Sequence, residues 1–327
     1  MSSRYVQPLR MLVQVGVLLV ALQTGWQFYH FVTTVAAGGV AVRPGGIDAF
    51  LPISGLFGSA LWIKGGILNP LHPAAVYWFL IAIGISLLMR RGFCSWICPV
   101  GTVSEWLWKL GFRLFKRNYQ LPRFLDRGLR SIKYLLLAFF LGTALTWPVS
   151  ALVGFLFSDY HLTTDIRLLN FFRYPGGVTV VVLVLLLLAS LYVRNPFCRY
   201  LCPYGALTGL VAFVSPMAVH RDEGRCVSCG VCNQVCPSRL DVMHSRDVVH
   251  PECLGCWRCI SYCRVHRSLS MRVLRRFSVS GVVYVVALLF VVFGLIGIAK
   301  QRGEWHNRVD GETYRMLLLD KSGSVVH

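Results

Sequence analysis

Five apolar runs divide the chain, at about residues 11–36, 73–89, 134–157, 176–193 and 279–299. Inside a bilayer no water satisfies backbone N–H and C=O groups, so such runs cross only as helices or as strands of a closed barrel. Continuous apolar character over about 20 residues, without alternation, selects the helix. Composition points the same way: 55% of the 327 residues are hydrophobic and 14% charged, against about a quarter charged in soluble domains. The first run is too long for a secretory signal and lacks a small-residue cleavage site, which makes it a retained span. The expected fold is mainly α-helical and membrane-integral, with about five transmembrane helices.

A net charge of +19 would suit a nucleic-acid partner if it formed one patch, but it is distributed by loop. Residues 90–132 hold nine Arg and Lys and residues 195–277 hold eleven, whereas loops 37–72 and 154–175 hold two each. By the positive-inside rule the basic loops and the N-terminus are cytoplasmic. Five spans then put the tail, 300–327, outside, in the periplasm if the membrane is a bacterial inner membrane. The basicity is a topology signal, and no nucleic-acid partner is expected.

One pattern occurs twice: FCSWICPVG at 93–101 and FCRYLCPYG at 197–205. Both read F-C-x-x-x-C-P-x-G. The likeness reaches back to Ser86, Leu87 and Arg90 in one copy and Ser190, Leu191 and Arg194 in the other, at a constant offset of 104 residues. The implied organisation is a membrane repeat at 1–104, an interfacial segment at 105–132, a second membrane repeat at 133–220, a small polar insert at 221–270, a fifth span at 278–299 and an external tail at 300–327. Because both repeats run the same way, an axis along the membrane normal should relate them. That symmetry would bring Cys94, Cys98, Cys198 and Cys202 together at the cytoplasmic surface. In the first external loop, IDAFLPISGLFGSALWI is too interrupted by Pro and Gly for a span and reads as interfacial or re-entrant. VSEWLWKLGFRLFKR has the periodicity of a helix lying on the inner leaflet. RMLLLDKSGSVVH, near the end, suggests a small hairpin.

The insert carries CVSCGVCNQVCP (226–237) and CLGCWRCISYC (253–263), each C-x2-C-x2-C-x3-C. This is the bacterial-type ferredoxin run, in which the fourth cysteine of each motif crosses to the other cluster. Carried over by motif, one [4Fe–4S] cluster takes Cys226, Cys229, Cys232 and Cys263; the other takes Cys253, Cys256, Cys259 and Cys236. Zinc sites pair two C-x2-4-C halves across a longer gap, and a cytoplasmic loop disfavours disulfides. The second motif has Arg264 where a Pro is common.

For Cys94, Cys98, Cys198 and Cys202 three readings stand. Each C-x-x-x-C-P copy is half of a ferredoxin run, so two copies supply the four thiolates of a third cluster. A redox-active thiol pair is the rival. Ordinary buried cysteines are the plain alternative.

In combination these motifs resemble the NapH-type membrane ferredoxins, quinol dehydrogenase subunits associated with periplasmic nitrate reduction. More distantly they resemble the NosR-type and CcoG-type polyferredoxins. The resemblance covers about residues 5–270 and rests on VRPGGIDAFLPISGL (42–56), FCSWICPVGTVSEWL (93–107), FCRYLCPYGAL (197–207) and the double ferredoxin motif. It implies membrane-bound electron transfer between the quinone pool and a partner redox protein, an iron–sulfur or haem protein usually outside the cytoplasmic membrane. A CcoG-like accessory reductase for metalloenzyme assembly, or a redox sensor, is the alternative. The span at 279–299, the tail, and Leu51 in place of a cysteine many relatives carry depart from the NapH-type pattern.

Several residues could take a proton from a quinol: His30, Asp48, His72, Asp159, His161 and Asp165, all assigned to the external side. Interfacial hydration is the competing explanation for each. His220, His244, His250 and His266 flank the insert, where they could tune a cluster or simply be solvated. Phe93, Trp96, Phe197 and Tyr200 are expected to pack around the cysteines, and Trp106 and Trp108 to sit in an interfacial belt. With no C-x-x-C-H, no strand-borne G-x-G-x-x-G and no P-loop, the chain shows no motif for covalent haem, nicotinamide, flavin or nucleotide.

Overall fold

The computed structural model describes residues 5–265, 267–309 and 311–320. Its helices in chain order begin with α1 (Val6–Ala36), α2 (Pro52–Gly65), α3 (Pro73–Met89), α4 (Gly92–Trp96) and α5 (Pro99–Phe115). There follow α6 (Arg123–Thr146), α7 (Val149–Leu156), α8 (Asp159–Leu162), α9 (Thr164–Arg173), α10 (Gly177–Tyr192) and α11 (Pro203–Phe213). The insert holds strands β1 (Met217–Arg221), β2 (Asp247–Val248), β3 (Leu269–Val273) and β4 (Phe277–Val279), with α12 (Val231–Val235) and α13 (Arg258–Ser261) between them. Helices α14 (Gly281–Gln301) and α15 (Gly311–Asp320) end the described chain.

Helices occupy all five expected spans, though not with the expected lengths. Among the described residues, α1, α6 and α14 are long and apolar enough to cross a membrane, and α9 with α10 makes a fourth span if that pair, bent by 77°, is counted as one. Pro175 and Gly176 separate the two halves, and a proline there removes both a donor and the helical conformation before it. Helix α3, at 17 residues, is shorter than the three long ones. The third span lies about eleven residues earlier than the hydropathy suggested, at 123–146 and not 134–157. Pro148 ends it, and no breaker interrupts the basic turns upstream of Tyr134.

The chain forms two compact units. The first comprises residues 1–18, 82–137 and 186–293 and holds all twelve cysteines. Its sheet is antiparallel in the order β2-β1-β3-β4, with Val219 opposite Val248 and Met271. Val219, Val248, Leu269 and Met271 are buried, giving the sheet one apolar face under the cysteine loops. The sheet starts at Met217 and ends at Val279, so it overruns the 221–270 bounds read from hydropathy on both sides. Helix α5 is amphipathic as expected, burying Thr102, Ser104, Glu105, Trp108 and Gly111 at three- and four-residue steps. At Gly111 a β-carbon would stand 1.8 Å from the Leu191 carbonyl oxygen, so only glycine allows α5 to lie so close to the end of α10.

The second unit comprises residues 19–81, 138–185 and 294–327. One core cluster packs Phe28, Phe31, Val32 and Val35 of α1 against Ile47, Ile166 and Tyr314. Another packs Phe57 and Leu61 of α2 against Ala144, Leu152 and Leu156. The interrupted loop segment is a 3-10 turn at Gly45–Phe50 followed by the 14-residue α2, which is too short to span. The first arm of the hairpin suggested near the end is helical, in α15. Its turn and second arm lie outside the described residues, as does His266.

Candidate functional site

Both C-P-x-G copies fold the same way, and the fold explains the motif. Cys98 is the N-cap of α5 and Cys202 the N-cap of α11, each with proline at the first helical position. Proline is pre-set for that position, where its missing N–H costs nothing. The Cys202 sulfur accepts the Gly205 N–H at 3.2 Å, and Cys98 faces the amides of Gly101 and Val100. A β-carbon at Gly101 would lie 2.3 Å from the Cys94 carbonyl oxygen, and one at Gly205 2.9 Å from Nη2 of Arg91. Each second cysteine therefore sits over a helix N-terminus, which favours the thiolate.

The two copies converge. Cys198 interacts electrostatically with Cys202, Cys98 and Cys94, and Cys98 with Cys94 and Cys202. Burial, followed by the neighbouring thiols, pushes the Cys98 thiol up to about 12 and the Cys198 thiol well above its usual range. Four cysteines gathered in such a place suit an iron centre, whose positive charge offsets the repulsion among ligating thiolates.

The insert gathers the rest. Cys253, Cys256, Cys259 and Cys236 interact with one another and line one apolar cavity with Trp257 and Leu254. Burial lifts Cys236 to about 12 and Cys259 well up. Cys232 interacts with Cys226 and Cys263, and the exposed Cys229 lies on the same loop. Cys259 also interacts with Cys232, so the two groups adjoin. The loops wrap alike because each turns left-handed at the same two places: Ser228 and Gly230 in one, Gly255 and Trp257 in the other. A tryptophan at φ 61° is costly unless packing holds it there. Trp257 is buried against Tyr284, which in turn packs on Trp96. Among the described residues no three His, Cys, Asp or Glu side chains converge closely enough to hold one metal ion. A cubane asks for a wider tetrahedron, one thiolate to each iron, and the three sets of four free cysteines suit it.

The repeat and the insert are joined by backbone and charge. Ser95 donates to the Leu254 carbonyl at 2.7 Å, and Trp96 Nε1 to that of Gly255 at 3.1 Å. Arg91 is buried beside Cys94, Cys198 and Cys253, and its Nη1 lies 2.9 Å from Oε2 of Glu252. Lys133 pairs with the other Glu252 oxygen. Burial would raise the Glu252 carboxyl, but Arg91 and Lys133 outweigh it and hold it at about 2. Glu105, between Arg10, Lys109 and Arg258, is likewise held at about 2 against burial. None of these charged partners was singled out from sequence. Their only local signal was an unusual charge beside an apolar run, as at Lys133.

The second unit holds a buried polar cluster. Arg43 Nε donates to Oδ2 of Asp165 at 2.8 Å, and its Nη2 to Oδ1 of Asp48. His72 Nδ1 lies 3.1 Å from that Asp48 oxygen and 3.2 Å from Arg43 Nη2, while its Nε2 faces the His161 carbonyl at 3.2 Å. Ser54 bonds His161 Nε2 at 3.1 Å, and the Tyr314 hydroxyl donates to Asp165 at 3.3 Å. Burial, then His72, pulls His161 down to about 4. Asp48 stays below the usual carboxylate range because Arg43 and His72 outweigh its burial. Arg43 Nη1 and Asp48 Oδ2 are buried without a partner. The structure thus assembles four of the six residues proposed as proton acceptors. His30 is exposed against Trp26, and Asp159 is exposed in the first turn of α8. Around the insert, His220 pairs with Asp247, His244 with Asp241, and His250 accepts the Glu252 N–H.

Membrane-length helices, repeated cysteine N-caps and a double ferredoxin loop on one chain define a membrane-bound ferredoxin-type protein. Comparison with known proteins agrees. A family described as "4Fe-4S binding domain" matches residues 71–122 and 175–220, the two repeat copies. YccM of Escherichia coli K12, described in terms of electron transport, is 40% identical over 301 residues, covering 90% of this chain and 84% of that one. The ferredoxin-type protein NapH of the same organism is 28% identical over 56% of this chain and 63% of its own. The methylamine utilization ferredoxin-type protein MauN of Methylorubrum extorquens is 32% identical over 58% of this chain and 59% of its own. No solved structure matches. The chain belongs to the NapH-type family of membrane polyferredoxins, iron–sulfur proteins of electron transport.

Proposed function

We propose that the chain relays electrons between the quinone pool and a partner redox protein through three [4Fe–4S] centres. Cys226, Cys229, Cys232 and Cys263 hold the first, Cys236, Cys253, Cys256 and Cys259 the second, and Cys94, Cys98, Cys198 and Cys202 the third. Each cluster, once bound, supplies reversible one-electron transfer. The observation that carries this reading is the chain of adjacent groups in one unit: Cys232 of the first meets Cys259 of the second, and Arg91 lies between Cys253 of the second and Cys94 and Cys198 of the repeats. Exposed Cys229 and Val227 leave the first group open to a soluble partner, while the repeat cysteines sit where α3 and α10 end.

Oxidising a quinol to a quinone releases two electrons and two protons, and the protons need acceptors. The buried cluster offers one: His72 faces Asp48 and Arg43 through Nδ1 and the His161 carbonyl through Nε2, an imidazole beside a carboxylate. By charge distribution the insert and N-terminus face the cytoplasm of a bacterial cell and the tail faces the periplasm.

The test is anaerobic addition of a short-chain quinol to proteoliposomes while the visible absorbance of the clusters is followed. Quinol should bleach the wild type. Cys198→Ser should lose about four irons, keep the two insert clusters, and respond to dithionite but not to quinol. Unchanged iron in that variant would remove the third centre.

A further inference from the structure

The repeat places an arginine at the same point of each copy, Arg90 and Arg194, and the two end differently. Arg90 is fully buried, and its guanidinium donates to the carbonyls of Met217, Ala212 and Val248. Arg194 also anchors the insert, with Nη1 2.9 Å from the Gln234 carbonyl and 3.0 Å from that of Cys236. Its Nε donates to Asn118 Oδ1 at 3.1 Å, and its plane lies over Trp108. The remaining edge faces an open cleft of about 600 Å³, lined also by Arg239, Gln120, Gln234, Phe112 and Leu240.

Elsewhere in the same unit, other buried and half-buried cations have carboxylates. Arg199 pairs with Asp126, Arg258 and Arg10 with Glu105, and Arg91 and Lys133 with Glu252. Among the described residues Arg194 and Arg239 pair with none. Among the described residues the Arg239 guanidinium donates only to the Tyr119 carbonyl. The one carboxylate lining the cleft, Asp241, is held by Asn233 and His244. Two guanidiniums beside amide donors and an apolar wall bind a phosphate group well, because the planar fork meets two oxygens at once. The cleft is far larger than a bare phosphate ion, so the group arrives on a body.

We infer that this cleft binds a phosphate-bearing small molecule, either the headgroup of an anionic lipid or a soluble phosphate ester. Arg194 and Arg239 grip the phosphate. Because Arg194 also holds the Cys236 carbonyl, an occupant bears directly on the loop that carries this cysteine. The site stands on the arginines and the cleft and does not depend on the clusters.

The full chain is placed in phosphatidylcholine nanodiscs with and without phosphatidylglycerol, and bound lipid is counted by native mass spectrometry. In a parallel arm, glycerol 3-phosphate is titrated calorimetrically into the lipid-neutral discs. One retained phosphatidylglycerol with no glycerol phosphate binding assigns the lipid. Saturable one-site glycerol phosphate binding assigns the soluble ester. In either case Arg239→Gln should weaken binding by about tenfold or more, and Arg264→Gln, exposed elsewhere on the insert, should not. Arg194→Lys, which keeps the charge and loses the fork, should fall between. Absence of binding in both arms, or equal binding by wild type and Arg239→Gln, overturns the assignment.

Discussion

Replacing Glu252 by glutamine keeps the shape of the side chain and removes the one negative charge shared by Arg91 and Lys133. At 2.9 Å from Arg91 the direct attraction is about 6 kcal/mol at an effective dielectric of about 20. Desolvation of the carboxylate cancels part of that. The carboxyl moves from an ordinary 4.5 to about 2 on folding, worth about 3 kcal/mol at about 1.36 kcal/mol per pH unit. Stranding two buried cations brings the expected loss to about 3–5 kcal/mol. In thermal denaturation of the detergent-purified protein this is a fall of about 6–20 °C. The pH dependence has a fixed sign. A carboxyl with a lowered folded-state pKa stabilises fully above its unfolded value and loses that contribution as pH falls toward the folded one. The gap between wild type and Glu252→Gln should thus be constant above about pH 5 and close between about pH 4.5 and 2. A variant within about 1 kcal/mol of wild type at neutral pH, or a gap that ignores pH, would refute the reasoning.

Three further outcomes follow from the same geometry. Gly101→Ala puts a methyl 2.3 Å from the Cys94 carbonyl oxygen, so iron analysis should show loss of the repeat-borne centre with the insert centres retained. His72→Gln, which removes the imidazole facing Asp48, should slow quinol-driven bleaching by about 10²-fold or more; dithionite reduction should be unchanged. Arg91→Gln takes a buried positive charge from beside Cys94 and Cys198, so redox titration should find the potential of the repeat-borne centre lowered. No shift in that potential would separate Arg91 from the centre.

The grouping of the cysteines was legible because their spacing is local, within a dozen residues in both C-x2-C-x2-C-x3-C and C-x-x-x-C-P. The glycine of the first C-P-x-G has its reason seven residues away, at the Cys94 carbonyl, whereas the tightest contact of its counterpart Gly205 is with Arg91 of the other copy. The charge partners were not legible. Arg91 meets Glu252 across 161 residues, and Arg43 meets Asp165 across 122. Residue type flagged His30, Asp48, Asp159 and Asp165 equally, and helical phase then separated them. In α1, Phe28 and Phe31 face the core and His30 faces out. The third span was misplaced because hydropathy averages over side chains, whereas the helix obeys its breakers. It runs through its basic first turns and stops before Pro148.

The most direct test is to count iron and paramagnetic centres in anaerobically purified protein. The account requires about twelve irons per chain and three distinguishable reduced cubane signals, one of them lost when Cys94 or Cys198 is replaced by serine. About eight irons, with signals indifferent to both substitutions, would contradict it.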